Sequence, residues 1–404
     1  MKRKLAVVAL LISAVMIAGG CTLIQVNEER DAKVVVAQVD GTAITKGEFL
    51  SAWNQMRLQY GITDQNERDS SVAETVKYLK EYLLDSMVED EVMEQEARKR
   101  GYFDLTNEQR AEIEEEMASI LESLRESIER SMTFEEGLTD EQKAALVDAE
   151  LNSYREEIGY TDEYIRSTLE NSKAISALYE EVTNGATAEE SALDARYNEK
   201  ITADRTSYEV DADAYVDAVL GGKSVYYVPK SGMRLIQQIL IMLPADARSQ
   251  ISALRKEGDN EGADEKREEA LDAIRDKAEE VLSKLEGGAD FDDMIEEYNE
   301  DPGMEAHPDG YPVSANVTSY VPEFTQGAME LGKQGDISGL IATDHGYHIL
   351  RYADSLEGGA VPFEDVREQL REEVINENKA KLWNDALEQW KTAREIKTYP
   401  KRIR

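Results

Sequence analysis

An α+β fold follows from three features of the chain. Its first half and its last forty or so residues carry apolar side chains every three or four positions, the period of helices packed on one face. One decapeptide, RLIQQILIML at 234–243, alternates instead as a strand does. A second apolar run, GYHILRY at 346–352, closes the region that this strand opens. The chain thus reads as mainly helical segments flanking a compact unit of both structure types.

Lys2, Arg3 and Lys4 precede an apolar stretch from Leu5 to Ile17, which ends in Ala18, Gly19 and Gly20. That is the pattern of a secretory signal, shorter than the roughly 20 residues of a membrane span. The small residues stand directly before Cys21, the only cysteine, and resemble the lipobox of bacterial lipoproteins. The resemblance implies removal of residues 1–20, a lipid on the Cys21 sulfur, and a tether over 21–33 at the extracytoplasmic face of the cell membrane. A single cysteine leaves no disulfide within one chain.

Lys and Arg number 46 against 84 Asp and Glu, for a net charge of −38. Such a surface repels nucleic acid and anionic headgroups, which bind through basic patches, so no nucleic-acid partner is expected. Contact with the membrane then rests on the lipid at Cys21.

VVVAQVD reads as a strand, Asp40-Gly41 as a turn into a second short strand, and Thr45 with Glu48 as a capping box that opens a helix. Val72, Val76, Leu79, Leu83 and Met87 share one face of the next helix. After Thr106, boxed with Gln109, Ile113, Met117, Ile120, Leu124 and Ile128 do the same. Thr139 with Gln142 opens a helix carrying Val147, Leu151, Tyr154 and Ile158. Residues 201–232 give mixed signals, and YYVPKSG marks a boundary through Pro229 and Gly232. Finally Phe363, Val366, Leu370, Val374, Trp383, Leu387 and Trp390 trace a long amphipathic helix.

Between these, RLIQQILI, GGADFDDMIEEYNEDPG, VPEF, LGKQGDISGLIAT and GYHILRY follow one another in an order that resembles the parvulin-type peptidyl-prolyl isomerase domain, here over 233–354. With the lipobox and the flanking helices, the whole chain is similar to the extracytoplasmic foldase lipoproteins of Gram-positive bacteria. The resemblance implies a small antiparallel sheet flanked by helices, inserted into a SurA-like helical chaperone domain. That domain is formed by 34–232, with its connector, and by a C-terminal helix within 360–397 packing on it.

Carried over by motif, the resemblance places the active-site histidine at His348, the central acid at Asp301 and a supporting hydroxyl at Thr343. The floor of the proline pocket falls on Phe324, with Tyr320, Pro312 and His345 beside the substrate. Gln238 stands where the opening strand normally carries a histidine, and Asp309-Gly310 replaces a double glycine. An amide bonds both ways but does not change its charge near neutral pH. Two functions therefore stay open, beside a plain surface-anchored adhesin or scaffold. One is a foldase that isomerises X-Pro bonds in unfolded or partly folded secreted polypeptides; the other is a non-catalytic holdase with a degenerate parvulin domain. A homodimer through the helical domain also stays open.

The histidines of TDHGYHILRY admit a metal, a catalytic or a plain strand role. At i and i+3 on a strand, His345 and His348 point to opposite faces and do not readily share an ion. His307 is a loop residue, and Asp211, Asp213 and Asp217 lack the glycine and distant glutamate of a calcium loop. No metal or cofactor is expected. The polar stretch 244–269 is an insertion, read as a helical or flexible flap in which acids dilute the cations.

Overall fold

The computed structural model describes residues 28–403 except 64, 68 and 159, so the signal segment and Cys21 lie outside the described residues. The chain divides into two compact units, one of residues up to Gly185 together with Lys379–Arg404, the other Ala186–Asn378. The second unit reaches beyond 233–354 on both sides.

In the first unit α1 (Glu28–Ala32) leads into β1 (Val35–Val39) and β2 (Thr42–Thr45), then α2 (Lys46–Gln59), α3 (Ala73–Lys99), α4 (Asn107–Ser131), α5 (Asp140–Ile158) and α6 (Asp162–Thr183). The Thr45–Glu48 and Thr106–Gln109 capping boxes form as the sequence predicts. Phe49, Trp53, Leu83, Leu84 and Val92 pack with Leu178, Leu387 and Trp390 in one core. Ile113 and Val147 are buried, but Met117, Ile120, Leu124 and Ile128 are half-buried and Tyr154 is exposed. The predicted apolar stripe of α5 is thus only partly covered, because α4 is the main helix packed against α5.

In the second unit α7 (Glu190–Tyr208), α8 (Ala212–Leu220) and β3 (Tyr227–Val228) precede β4 (Arg234–Met242). The polar insertion is helical: α9 (Ala245–Glu257) and the start of α10 (Asn260–Glu286). Then come α11 (Phe291–Tyr298), α12 (Pro302–Ala306), β5 (Tyr311–Val313), α13 (Pro322–Glu330), β6 (Ile341–Ala342), β7 (Gly346–Ser355) and β8 (Gly359–Ala360). The last helix, α14 (Phe363–Thr392), gives its residues up to 378 to this unit and the rest to the first, where β9 (Ile396–Thr398) pairs antiparallel with β1. Among the described residues, no helix is long and apolar enough to cross a membrane.

The central sheet of the second unit runs β5-β4-β7-β6, all antiparallel. Alternation sorts its side chains by face. Ile239, Ile241, Tyr347 and Ile349 meet α9, α10 and α11 on one face. Ile236, Leu350 and Tyr352 meet Phe324 and Ala328 of α13 on the other.

The turn from β6 to β7 depends on Gly346, whose φ is 149°. A Cβ there would stand 2.1 Å from the Ile241 carbonyl oxygen. Gly346→Ala combines that clash with a backbone conformation that L side chains avoid, and should cost about 3 kcal/mol or more. Denaturant unfolding of the variant checks this; an unchanged midpoint would contradict the observed register of β4 against β7.

Candidate active site

The β4–β7 register sets Leu240 opposite His348 and Gln238 opposite Leu350. Gln238 and His348 are therefore diagonal neighbours on the face that carries Phe324, within reach of a long side chain. His348 Nδ1 lies 2.6 Å from Gln238 Oε1, and His348 Nε2 lies 2.8 Å from Thr343 Oγ1. On its far side, Gln238 Nε2 donates to Asp301 Oδ2 at 2.6 Å.

Asp301 is brought there by the NEDPG segment. Asn299 Oδ1 accepts from the Leu240 amide at 2.9 Å, and the Glu300 amide donates to the Leu240 carbonyl at 2.9 Å. Two residues are thereby stitched to β4. Asp301 then caps the short α12, its Oδ1 accepting from Gly303 N–H at 3.0 Å, with Pro302 in the first helical position where its missing N–H costs nothing.

A carboxylate only accepts, so the amide nitrogen of Gln238 faces Asp301 and its carbonyl oxygen faces the imidazole. His348 Nδ1 therefore holds the proton, and Nε2 accepts from the Thr343 hydroxyl. Thr343 Oγ1 in turn accepts the His345 amide N–H at 3.0 Å. Every link points the same way, toward Asp301. Burial, reinforced by His345 and opposed by Asp301, pushes His348 down to about 4, which keeps the imidazole neutral.

Beside this relay stand three further rings. Phe324 meets His348 edge-on at 5.8 Å between centroids, Tyr320 lies 5.3 Å from Phe324, and Tyr311 lies 6.0 Å from Tyr320. Phe324 and His348 are only 3% and 4% exposed, and both tyrosines pack against the Phe324 ring. The Tyr311 hydroxyl donates to Asp301 Oδ2 at 2.6 Å, whereas the buried Tyr320 hydroxyl has no hydrogen-bond partner among the described residues. Tyr320 is the freer of the two. Burial and then Asp301 push the Tyr311 phenol up.

Gln238, Asp301, Phe324, Tyr320, Thr343 and His348 are thus brought together, and two expected residues are not. Pro312 is buried on β5, but alternation turns its neighbours Tyr311 and Val313 toward Phe324, so Tyr311 takes the place expected for Pro312. His345 lies in the β6–β7 turn with an exposed side chain, and only its backbone amide joins the relay. Tyr311 and Asn299 escaped the sequence reading. The signal for Asn299 is its place two residues before the Asp301-Pro302 cap; Tyr311 has no local signal, and its hydroxyl sits where a Cβ on Gly303 would stand 2.1 Å away.

The burial of His348 makes a pH prediction. An unfolded histidine titrates near 6.5, and His348 stays neutral down to about 4. The unfolded chain then binds the extra proton between these values, so the stabilisation is complete above about pH 6.5 and is lost as pH falls toward 4. The full difference is about 3 kcal/mol. Unfolding curves of the wild type and His348→Gln between pH 7 and 4.5 should converge as pH falls. Parallel curves would contradict a buried neutral imidazole.

Residues 258–354 match the family described as PPIC-type PPIASE domain, and residues 1–117 match the SurA-like N-terminal domain. The first match begins after β4, so it leaves Gln238 outside. The chain is 21% identical over 390 residues to the foldase protein PrsA of Clostridium botulinum, covering 95% of this chain and 93% of that one. It is 23% identical over 394 residues to the foldase protein PrsA of Clostridium perfringens, covering 96% and 92%. The crystal structure of PrsA from Bacillus subtilis is similar at 14% identity and a TM-score of 0.23, over 89% of this chain and 93% of that one. This chain thus carries a SurA-like N-terminal domain and a PPIC-type peptidyl-prolyl isomerase domain, and it is similar to PrsA foldases over almost its whole length.

Proposed function

We propose that this chain is a lipid-anchored extracytoplasmic foldase that rotates X-Pro bonds in exported, partly folded polypeptides. The observation that carries this reading is the relay Thr343–His348–Gln238–Asp301 running beneath Phe324. Similarity to proteins named foldase supports it.

Rotation about X-Pro meets a barrier of about 18–20 kcal/mol because the C–N bond is partly double. It takes tens of seconds or longer unaided. A catalyst must favour the twisted amide, whose nitrogen is pyramidal and whose carbonyl has lost conjugation, over the two planar forms. No bond is made or broken and no proton need leave the enzyme. In this reading Phe324 and Tyr320 hold the prolyl ring, and the relay offers fixed dipoles to the twisting amide. An amide at position 238 suits such a task, because orientation matters there and ionisation does not.

A holdase role is the second reading, favoured by the half-buried Met117, Ile120, Leu124 and Ile128 and the exposed Leu146 and Tyr154 of α4 and α5. Unfolded chains would lie against these side chains without any bond being turned.

A protease-coupled assay on a proline tetrapeptide tests the isomerase. The expected result is a rate above background, flat from pH 6 to 8, which falls at least tenfold in Phe324→Ala. No rate above background, with activity appearing in Gln238→His, would reject catalysis; suppression of client aggregation by the same inactive chain would then favour the holdase. For the anchor, Cys21→Ser should move the protein from the membrane fraction to the medium, and unchanged membrane retention would count against a lipid on that sulfur.

A further inference from the structure

The loop between β5 and α13 carries Tyr320, and its backbone is held from outside the 233–354 segment. Asp213, in the first turn of α8, accepts the amides of Thr318 and Ser319 at 2.8 Å each on Oδ1 and the Thr318 hydroxyl at 2.6 Å on Oδ2. Burial alone would raise this carboxyl, but the bonds from Thr318 and Ser319 hold it below the usual range. Asp211 caps α8 through the amides of Asp213 and Ala214, which holds the backbone of the first turn that carries Asp213.

Apolar contact backs the polar clamp. Tyr215 and Val216 of α8 are buried against Met233 and Val317, the residue just before the clamped pair. Tyr320 belongs to this cluster and also to the one that contains Phe324 and Tyr311. Burial and then the Asp213 and Asp217 carboxylates push its phenol up, and its hydroxyl is buried without a hydrogen-bond partner among the described residues.

We infer that α8 is a working part of the isomerase, with Asp213 a positioning residue that fixes the backbone at 318 and 319, from which Tyr320 swings over the Phe324 floor. The inference rests on the isomerase reading above. Without the clamp the loop keeps the Val317 plug and two bonds at its start, Val317 N–H to the Ser314 carbonyl and Asn316 N–H to the Ser314 hydroxyl, while the two amides before Tyr320 lose their acceptor. Tyr320 then samples many poses, and forming the prolyl pocket carries an ordering cost at each binding event. The chemical step, made by the relay, is left alone.

The test uses the full second unit within the intact chain and two readouts. In Asp213→Ala, hydrogen exchange at the Thr318 and Ser319 amides should speed at least tenfold, and KM for a proline tetrapeptide should rise three- to tenfold with kcat within twofold. In Asp213→Asn, whose carboxamide oxygen still accepts the two amides, most of the KM should return. In a Tyr320→Ala background, Asp213→Ala should leave KM unchanged, because the clamp acts through that ring. The inference is overturned if the two amides exchange as in the wild type, or if the KM effect persists without Tyr320, as it would for general loosening of the fold. A wild-type chain with no isomerase activity, seen before any substitution is made, would sink the functional reading and this inference with it.

Discussion

The bond from Gln238 to Asp301 fixes the orientation of everything beside it. An amide side chain can turn over and present either end, but a carboxylate at 2.6 Å admits only the nitrogen. The carbonyl end is then committed to His348, and with it the imidazole tautomer, and with that the direction of the Thr343 hydroxyl. Asp301 is itself tied three ways, by Gln238, Tyr311 and the Gly303 amide. Such a carboxylate has little freedom to release the amide it holds.

This arrangement needs the backbone to be accurate where three separated stretches of sequence meet. The β4–β7 register supplies Gln238 and His348, the tight β6–β7 turn supplies Thr343, and the stitching of Asn299 and Glu300 to Leu240 supplies Asp301. A one-residue slip of β7 would turn His348 to the opposite face, among the α9–α11 contacts. Gly346 guards against it by letting the turn approach the Ile241 carbonyl more closely than any side chain permits.

Periodicity and caps made the elements legible, because a helix face and a capping box are local properties. Thr45, Thr106 and the long stripe of α14 needed nothing beyond their neighbours in sequence. The site residues were legible only through resemblance to a family pattern, and that pattern named Pro312 where alternation along β5 presents Tyr311. Composition could not have decided between adjacent residues of a three-residue strand, since the choice depends on which way its pleat faces β4. In sequence, the aspartates at the start of α8 suggest no more than an incomplete calcium loop. Their partners, the amides of Thr318 and Ser319, lie more than a hundred positions away, and no local signal links them.

An amide at position 238, in place of a histidine, trades one property for another. A pair of imidazoles can exchange protons and reverse the direction of their shared bonds, so their dipoles average over arrangements. Gln238 cannot take up or release a proton, and His348, pushed down to about 4 by burial, does not do so near neutrality. The relay is therefore a set of dipoles of constant sign, insensitive to pH near neutrality. For covalent or acid–base chemistry that would be a loss, since such chemistry needs a group poised to change charge. For turning an amide the requirement is different: the field at the twisting bond must already be in place when the prolyl ring arrives, and constancy of sign satisfies it.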